Sequence, residues 1–182
     1  EHAPMLTLVM GMAACMAIEK ITGLTAEIKW PNDVVINKKK TTGILTEMGM
    51  SEGKISYVVV GIGINLNMES FPEELAYKAT SLKIECGHEI NRDEIAAALL
   101  FYFEQYYEKF EQTHNLGFLI EEYNNHLVNR GKEVLIKEKD GEYTGISRGI
   151  NDKGELLVEK KDGNCVEIFS GEVSVRGLYG YV

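Results

Sequence analysis

The sequence predicts an α+β protein: a mixed β-sheet packed with helices over residues 1–131, then a small β-barrel or sandwich over 132–182. Three observations carry this. Apolar residues recur at three- and four-residue spacing near the start of the chain and again around residue 100, the period of a helix with one buried face. Between residues 27 and 64, β-branched runs alternate with clusters of turn-forming residues. After Glu133 short alternating strands are separated by Asp-Gly and Gly-containing turns, the texture of successive hairpins.

The first helix rests on Met5, Leu8, Val9, Met12, Ala13 and Met16, with Pro4 suited to a first turn and Gly23 to a stop. Residues 27–30 and 34–37 read as strands around a Pro31-Asn32-Asp33 turn. A strand over 42–49 follows the basic turn Lys38-Lys39-Lys40. After the turn signal Ser51-Glu52-Gly53-Lys54, residues 55–64 form a long, nearly continuous apolar strand, expected to be central and covered on both sides. A short helix is expected after Pro72. Residues 91–110 form an amphipathic helix with Asp93 in its first turn and a stripe of Ile95, Leu99, Tyr102, Phe103, Tyr106 and Phe110. A further helix over about 116–128 stops near Asn129-Arg130-Gly131. Beyond it, Asp140-Gly141, Asp152-Lys153-Gly154 and Asp162-Gly163 set the hairpin turns.

The composition, 45% hydrophobic and 26% charged, is that of an ordinary globular protein. No apolar run is expected to reach the roughly 18 residues that span a bilayer, and no basic segment followed by an apolar run opens the chain. No membrane association is expected. A net charge of -9 argues against a nucleic-acid partner, because phosphate binding is driven by clustered Lys and Arg. Cys15, Cys86 and Cys165 give neither a disulfide framework nor a zinc spacing and fit a reducing cytoplasm, the expected location. His2, His88, His114 and His126 are scattered, and no metal is assigned.

Chemistry concentrates between Lys29 and Asn65. Alternate side chains of a strand face opposite sides. Val58, Val60, Ile62 and Ile64 therefore share one face, expected to pack on helices, and Val59, Gly61, Gly63 and Asn65 share the other. In the preceding strand Gly43, Leu45 and Glu47 lie on one face, and Ile44, Thr46 and Met48 on the other. Glycines in line leave bare backbone, which marks either a bulge or the close approach of a flat ligand. If the two glycine faces adjoin, they form a slot with an apolar wall and, at Asn65, a polar end able to meet an amide or a base edge. Gly61-Ile62-Gly63 lacks the third glycine and following helix of a dinucleotide fingerprint. Lys38 to Lys40 read either as a solvated turn or, at Lys40, as a cation beside the slot that could hold a carboxylate and neutralise an attacked phosphate. Asp33 is either a turn former or a carboxylate that helps hold Mg2+ near a triphosphate.

Lys29-Trp30-Pro31-Asn32-Asp33, then Lys40-Thr41-Thr42-Gly43-Ile44-Leu45-Thr46-Glu47, then Gly61-Ile62-Gly63-Ile64-Asn65-Leu66-Asn67, resemble the biotin protein ligase family in order and spacing. Gly145-Ile146-Ser147-Arg148-Gly149-Ile150, Gly154-Glu155-Leu156-Leu157 and Ser170-Gly171-Glu172-Val173-Ser174-Val175-Arg176 resemble that family's small SH3-like domain. The resemblance implies a class II synthetase/biotin-lipoate ligase-like sheet followed by an SH3-like barrel. It implies ATP, Mg2+ and biotin as reactants, biotinyl-5′-adenylate as intermediate, and a biotin carboxyl carrier protein of acetyl-CoA carboxylase or a similar enzyme as acceptor. Lys40 and Asp33 are then the catalytic pair. Lys40, Gly43, Leu45, Gly61 and Gly63 line the biotin, and Lys29, Asn32, Ile64, Asn65 and Arg176 meet ATP or the adenylate, with Glu172 also linked to ATP and acceptor use. A homodimer is a further expectation. The alternatives are a lipoate or octanoate ligase on a related fold and the biotin-sensing portion of a repressor.

The resemblance also implies upstream elements: a Gly-Arg-rich loop folding over the ligand, strands holding the biotin ring, a tryptophan packing on the adenine and, in many members, a helix-turn-helix domain. This chain has no Gly-Arg-Gly run, and Trp30 is its one tryptophan. It is expected to be part of a longer catalytic domain that encloses its ligand from both sides. The 182-residue chain by itself is accordingly expected to form no biotinyl-adenylate. The check is biotin-dependent exchange between pyrophosphate and ATP, and measurable exchange would overturn it.

Overall fold

In a computed structural model the structure describes residues 3–138 and 141–169, and the backbone of 174–177. Asp140 and Glu172, named above, lie outside the described residues, as does the side chain of Arg176. The α+β class is as expected, built on two sheets.

Helix α1 (Met5–Thr22) ends where Gly23 adopts a left-handed backbone (φ 71°) and returns its N–H to the Glu19 carbonyl, the conformation that glycine adopts without a Cβ penalty. α1 differs from expectation in being buried around nearly its whole circumference, without a break from Thr7 to Cys15. By length and composition it could cross a membrane, with a mean hydropathy of 1.5 over 18 residues, contrary to the expectation that no segment could. Here it is a core helix, packed between the first sheet and α4 (Arg92–Thr113). Burial pushes the Cys15 thiol well above the usual thiol range, and Glu19 and Glu27 add to the effect. Such a thiol is inert packing material.

The first sheet runs β1 (Glu27–Lys29), β2 (Asp33–Ile36), β3 (Lys39–Ser51), β4 (Lys54–Ile64), in that order and with antiparallel ladders. Parallel pairing enters at two isolated bridges, Ile28 with Leu127 and Lys40 with Ala79. The β2–β3 hairpin closes through Asn37 and Lys38, both left-handed (φ 49° and 64°), and β3–β4 through Glu52 and Gly53 (φ 51° and 75°). Two left-handed central residues match the twist of paired strands. One expectation fails: β4 is neither central nor covered on both sides. It is the last strand of the described sheet, and Tyr57 and Val59 are exposed. Its alternation expresses one packed face and one left open, a pattern that a nearly continuous apolar run conceals.

Two short helices follow, α2 (Glu73–Ala76), expected after Pro72, and α3 (Leu82–Cys86), which the sequence did not announce. α4 carries its stripe as expected, with Ile95, Leu99, Tyr106 and Phe110 buried, and α5 (Ile120–His126) is shorter than expected. The second sheet, order β8-β7-β6-β5-β9, comprises β5 (Glu133–Glu138), β6 (Gly141–Ile150), β7 (Leu156–Lys160), β8 (Cys165–Ile168) and β9 (Ser174–Gly177). Among the described residues β8 and β9 do not pair, so the barrel is not closed.

The two parts are fastened by polar contacts. The buried Trp30 Nε1 donates to the Gly154 carbonyl (3.0 Å), and the Ile150 N–H donates to Asn124 Oδ1 (2.8 Å). Trp30→Phe keeps most of the packing but leaves the Gly154 carbonyl without this donor. It should lower unfolding free energy by about 1–3 kcal/mol, read by denaturant titration.

Candidate active site

Register brings Lys29, Asp33, Gly43 and Gly63 into one row across all four strands. Directly paired residues project from the same face of a sheet. The next rows on β3 and β4 set Leu45 opposite Gly61 and Glu47 opposite Val59. The two glycine faces therefore lie side by side, the condition on which the slot depended. The other face presents Ile44 opposite Ile62 and Thr42 opposite Ile64, and turns toward α1, where a Cβ on Gly11 would stand 3.6 Å from Ile44 Cδ1. The glycine face is bare. A Cβ at Gly63 would meet nothing within 4 Å, one at Gly61 would meet only the Leu45 carbonyl at 3.6 Å, and Leu45 is 63% exposed.

Strict alternation would put Lys40, three residues before Gly43, on the wrong face. A register shift corrects this. Val34 pairs with Thr42 but Val35 pairs with Lys40, so Thr41 is an extra residue in β3. A bulge of this kind re-aims the side chains that follow or precede it. Lys40 emerges on the glycine face and forms an ion pair with Asp33. Its Cε and Nζ stand 3.1 Å from where a Cβ of Gly43 would sit, and Asp33 Oδ1 stands 3.9 Å from that point. The missing side chain at Gly43 is the space through which the ammonium reaches the carboxylate. Thr41 stabilises the bulge: its hydroxyl donates to the Val34 carbonyl (3.2 Å) and its carbonyl accepts the Asn65 N–H (2.7 Å).

The expected site residues thus divide by what they do. Lys29, Asp33, Lys40, Gly43, Leu45, Gly61 and Gly63 gather on one surface. Both readings of the lysine run hold in part, since Lys38 is exposed in the turn while Lys40 turns into the site. Asn65 stands at the same end as Lys40, its side-chain NH2 donating to the Thr80 carbonyl (3.1 Å) and its backbone carbonyl accepting the Leu82 N–H (2.9 Å). Ile64 has its side chain packed against the core, which leaves its backbone as the part beside the glycine floor. Asn32 grips β3 twice: its carbonyl accepts the Ile44 N–H (2.9 Å) and its amide NH2 donates to the Ile44 carbonyl (3.0 Å). Arg176 lies in β9, its backbone opposite Leu135, away from this row.

Sequence reasoning missed Thr41 and Thr80, because a bulge and a bridging carbonyl are properties of register between distant strands. A hollow of about 260 Å³ between the start of α1 and β3 is lined by Pro4, Thr7, Pro31, Asn32, Ile44, Leu45, Thr46 and Met48, and so shares Asn32 and Leu45 with the expected site residues. Among the described residues no three His, Cys, Asp or Glu gather as a metal cage.

A bare backbone floor with a lysine–aspartate pair and a carboxamide side by side at one end lies on an α+β domain. Known proteins then place the chain. The Biotin/lipoate A/B protein ligase family profile matches residues 1–65, and the Biotin protein ligase C terminal domain profile matches 131–176. The biotin protein ligase of Aquifex aeolicus superposes with a TM-score of 0.85 at 33% identity, over 97% of this chain and 76% of that one. Its complex with biotin and ATP gives 0.84 at 33% identity, over 96% and 72%. The Bifunctional ligase/repressor BirA of Bacillus subtilis is 36% identical over 96% of this chain and 54% of its own length. The Biotin--[acetyl-CoA-carboxylase] ligase of Paracoccus denitrificans is 30% identical over 79% of this chain and 62% of its own length. The chain belongs to the biotin protein ligase family, and it spans about half the length of the BirA relatives.

The open space at Gly63 separates folding from binding. Gly63→Ala should leave unfolding free energy within about 0.5 kcal/mol of the parent in denaturant titration, as for a surface substitution, because its Cβ meets no neighbour. A larger loss would mean that the floor is packed rather than open.

Proposed function

We propose that this chain forms the floor of a biotin protein ligase active site, one that makes biotinyl-5′-adenylate and passes the biotinyl group to a lysine of a biotin carboxyl carrier protein. The carrying observation is the convergence of Lys40, paired with Asp33, and Asn65 at one end of the bare Gly43–Gly61–Gly63 surface, where the Asn65 N–H donates to the Thr41 carbonyl. In the first step a biotin carboxylate oxygen attacks the α-phosphorus of ATP and pyrophosphate leaves. In the second the acceptor lysine amine attacks the acyl carbon, AMP leaves and the amine loses a proton.

Gly43, Leu45, Gly61 and Gly63 line the biotin and its linkage to the phosphate, where side chains would collide with a flat ligand. The Lys40 ammonium meets the carboxylate and the charge that develops on the attacked phosphate, which removes the repulsion between two anions brought together. Asp33 orients that ammonium, and Lys29 in the same row adds positive potential. Ile64, through its backbone, and Asn65 take the adenine. Asn32 fixes β3 beneath the ligand, and Arg176 acts on ATP from the C-terminal part. Mg2+ enters with ATP through phosphate oxygens, since Asp33 is committed to Lys40.

The chain divides at 131/132 into a ligase part and an SH3-like part, works in the cytoplasm without membrane or nucleic-acid contact by these residues, and forms a homodimer. The C-terminal domain match and the names of the relatives favour biotin over lipoate.

In the full-length protein Lys40→Ala should lose about a hundredfold or more in adenylate formation, the scale of removing one charge-stabilising donor. Lys38→Ala should stay within about threefold, as expected for a solvated charge. Single-turnover formation of biotinyl-adenylate measures both, and equal losses would return the lysine run to a solvated turn.

A further inference from the structure

The short helix α3 does more than fill a gap between strands. Ser81 caps it, its Oγ accepting the Ile84 N–H (3.2 Å), and the helix then presents Glu85 to two donors from different parts of the fold. Asn37 Nδ2, at the tip of the β2–β3 hairpin, donates to Glu85 Oε2 (2.6 Å). The Thr80 hydroxyl donates to Glu85 Oε1 (2.5 Å). Both are charge-assisted bonds, the strong class.

What these donors belong to gives the pair its meaning. Asn37 sits two residues before β3 brings in Lys40, and the Lys40 backbone is itself clamped by the same segment as Thr80. The Lys40 N–H donates to the Lys78 carbonyl (2.8 Å), and the Thr80 N–H donates to the Lys40 carbonyl (2.9 Å). The Thr80 carbonyl in turn accepts the Asn65 side-chain amide (3.1 Å). One carboxylate therefore ties the hairpin that carries Lys40 to the strip that holds Asn65.

We propose that Glu85 is a positioning residue for this active site: by bridging Asn37 and Thr80 it holds the hairpin that carries Lys40 against the strip that anchors Asn65, at the end of the ligand floor where both residues stand. It touches no ligand and acts through Lys40 and Asn65. This rests on the ligase reading above, in which Lys40 meets the reacting groups and Asn65 the adenine. In that reading ATP meets Lys40 and Asn65 together, whereas biotin lies along the glycines, so a loosened bridge should weaken ATP use and spare biotin.

The test uses the full-length protein with three substitutions. Glu85→Ala should raise the KM for ATP about tenfold, the effect of losing one hydrogen bond to a charged acceptor. The biotin Kd should stay within about twofold. Glu85→Gln keeps an acceptor for Thr80, and the Asn37 amide can turn to meet its NH2, so the KM for ATP should return to within about threefold of the parent. Lys83→Ala, on the same helix but paired outward to Glu69 and Glu89, should change neither constant.

An unchanged KM for ATP in Glu85→Ala overturns the proposal, as does a Gln variant as poor as Ala or an equal rise in Lys83→Ala. If Glu85→Ala does not fold, Asn37→Gly retains the left-handed turn and removes one prong, and it should raise the KM for ATP about threefold. No rise there overturns the proposal equally.

Amide hydrogen exchange gives a readout independent of catalysis. The Lys40 and Thr80 N–H groups should exchange about tenfold faster in Glu85→Ala, or about threefold faster in Asn37→Gly, than in the parent. Unchanged rates overturn the bridge. If the parent protein shows no biotin-dependent pyrophosphate exchange, the ligase reading fails by itself, and the amide rates still decide the bridge.

Discussion

The ion pair between Asp33 and Lys40 depends on one inserted residue. β2 and β3 pair in register up to Val34 and Thr42. The chain then spends Thr41 outside the ladder, and only through that insertion does the lysine side chain cross to the face where the aspartate stands. Gly43 completes the arrangement by omission, since a Cβ there would press at 3.1 Å on the lysine tip. Sequence spacing, strand register and charge placement therefore form one constraint, and shifting any of them by a residue would separate the charges.

The first sheet is asymmetric by the same logic. Its inner face is closed by α1, where Gly11 allows close approach to Ile44, and by the apolar rows of β3 and β4. Its outer face forgoes side chains at Gly43, Gly61 and Gly63. A strand gives up packing and conformational restriction where it carries glycine. The fold bears that cost on one face because the inner face alone secures the sheet. A surface made of backbone is also rigid, because strand pairing holds it in place.

Much of this was legible in the sequence, and particular residues show where reading stops. Gly23 announced the end of α1, and the hairpin turns at Glu52-Gly53, Gly154 and Gly163 all adopt the left-handed backbone their composition requires. Alternation put Gly43 on one face of its strand and Gly61 with Gly63 on one face of theirs, and the β3–β4 register joined the two. It could not show that β4 lies at the sheet's end, because an apolar run looks the same whether its second face meets a helix or stays bare. Nor could it find the bulge at Thr41, which exists only relative to β2. α3 has five residues, too few to display a period, and its Glu85 looks like any surface carboxylate until Asn37 and Thr80 arrive from elsewhere.

Trp30 joins the strand before Asn32 and Asp33 to a loop of the second sheet through a buried bond to Gly154. Dividing the chain between its two parts would strip an indole N–H of its acceptor and expose the apolar seat of that ring, at a cost of about 1–3 kcal/mol for the polar group alone. The C-terminal part is thus a structural guarantor of the turn that carries Asp33. Modular exchange of this part among relatives would have to preserve a single carbonyl, at the residue equivalent to Gly154, for the graft to seat correctly.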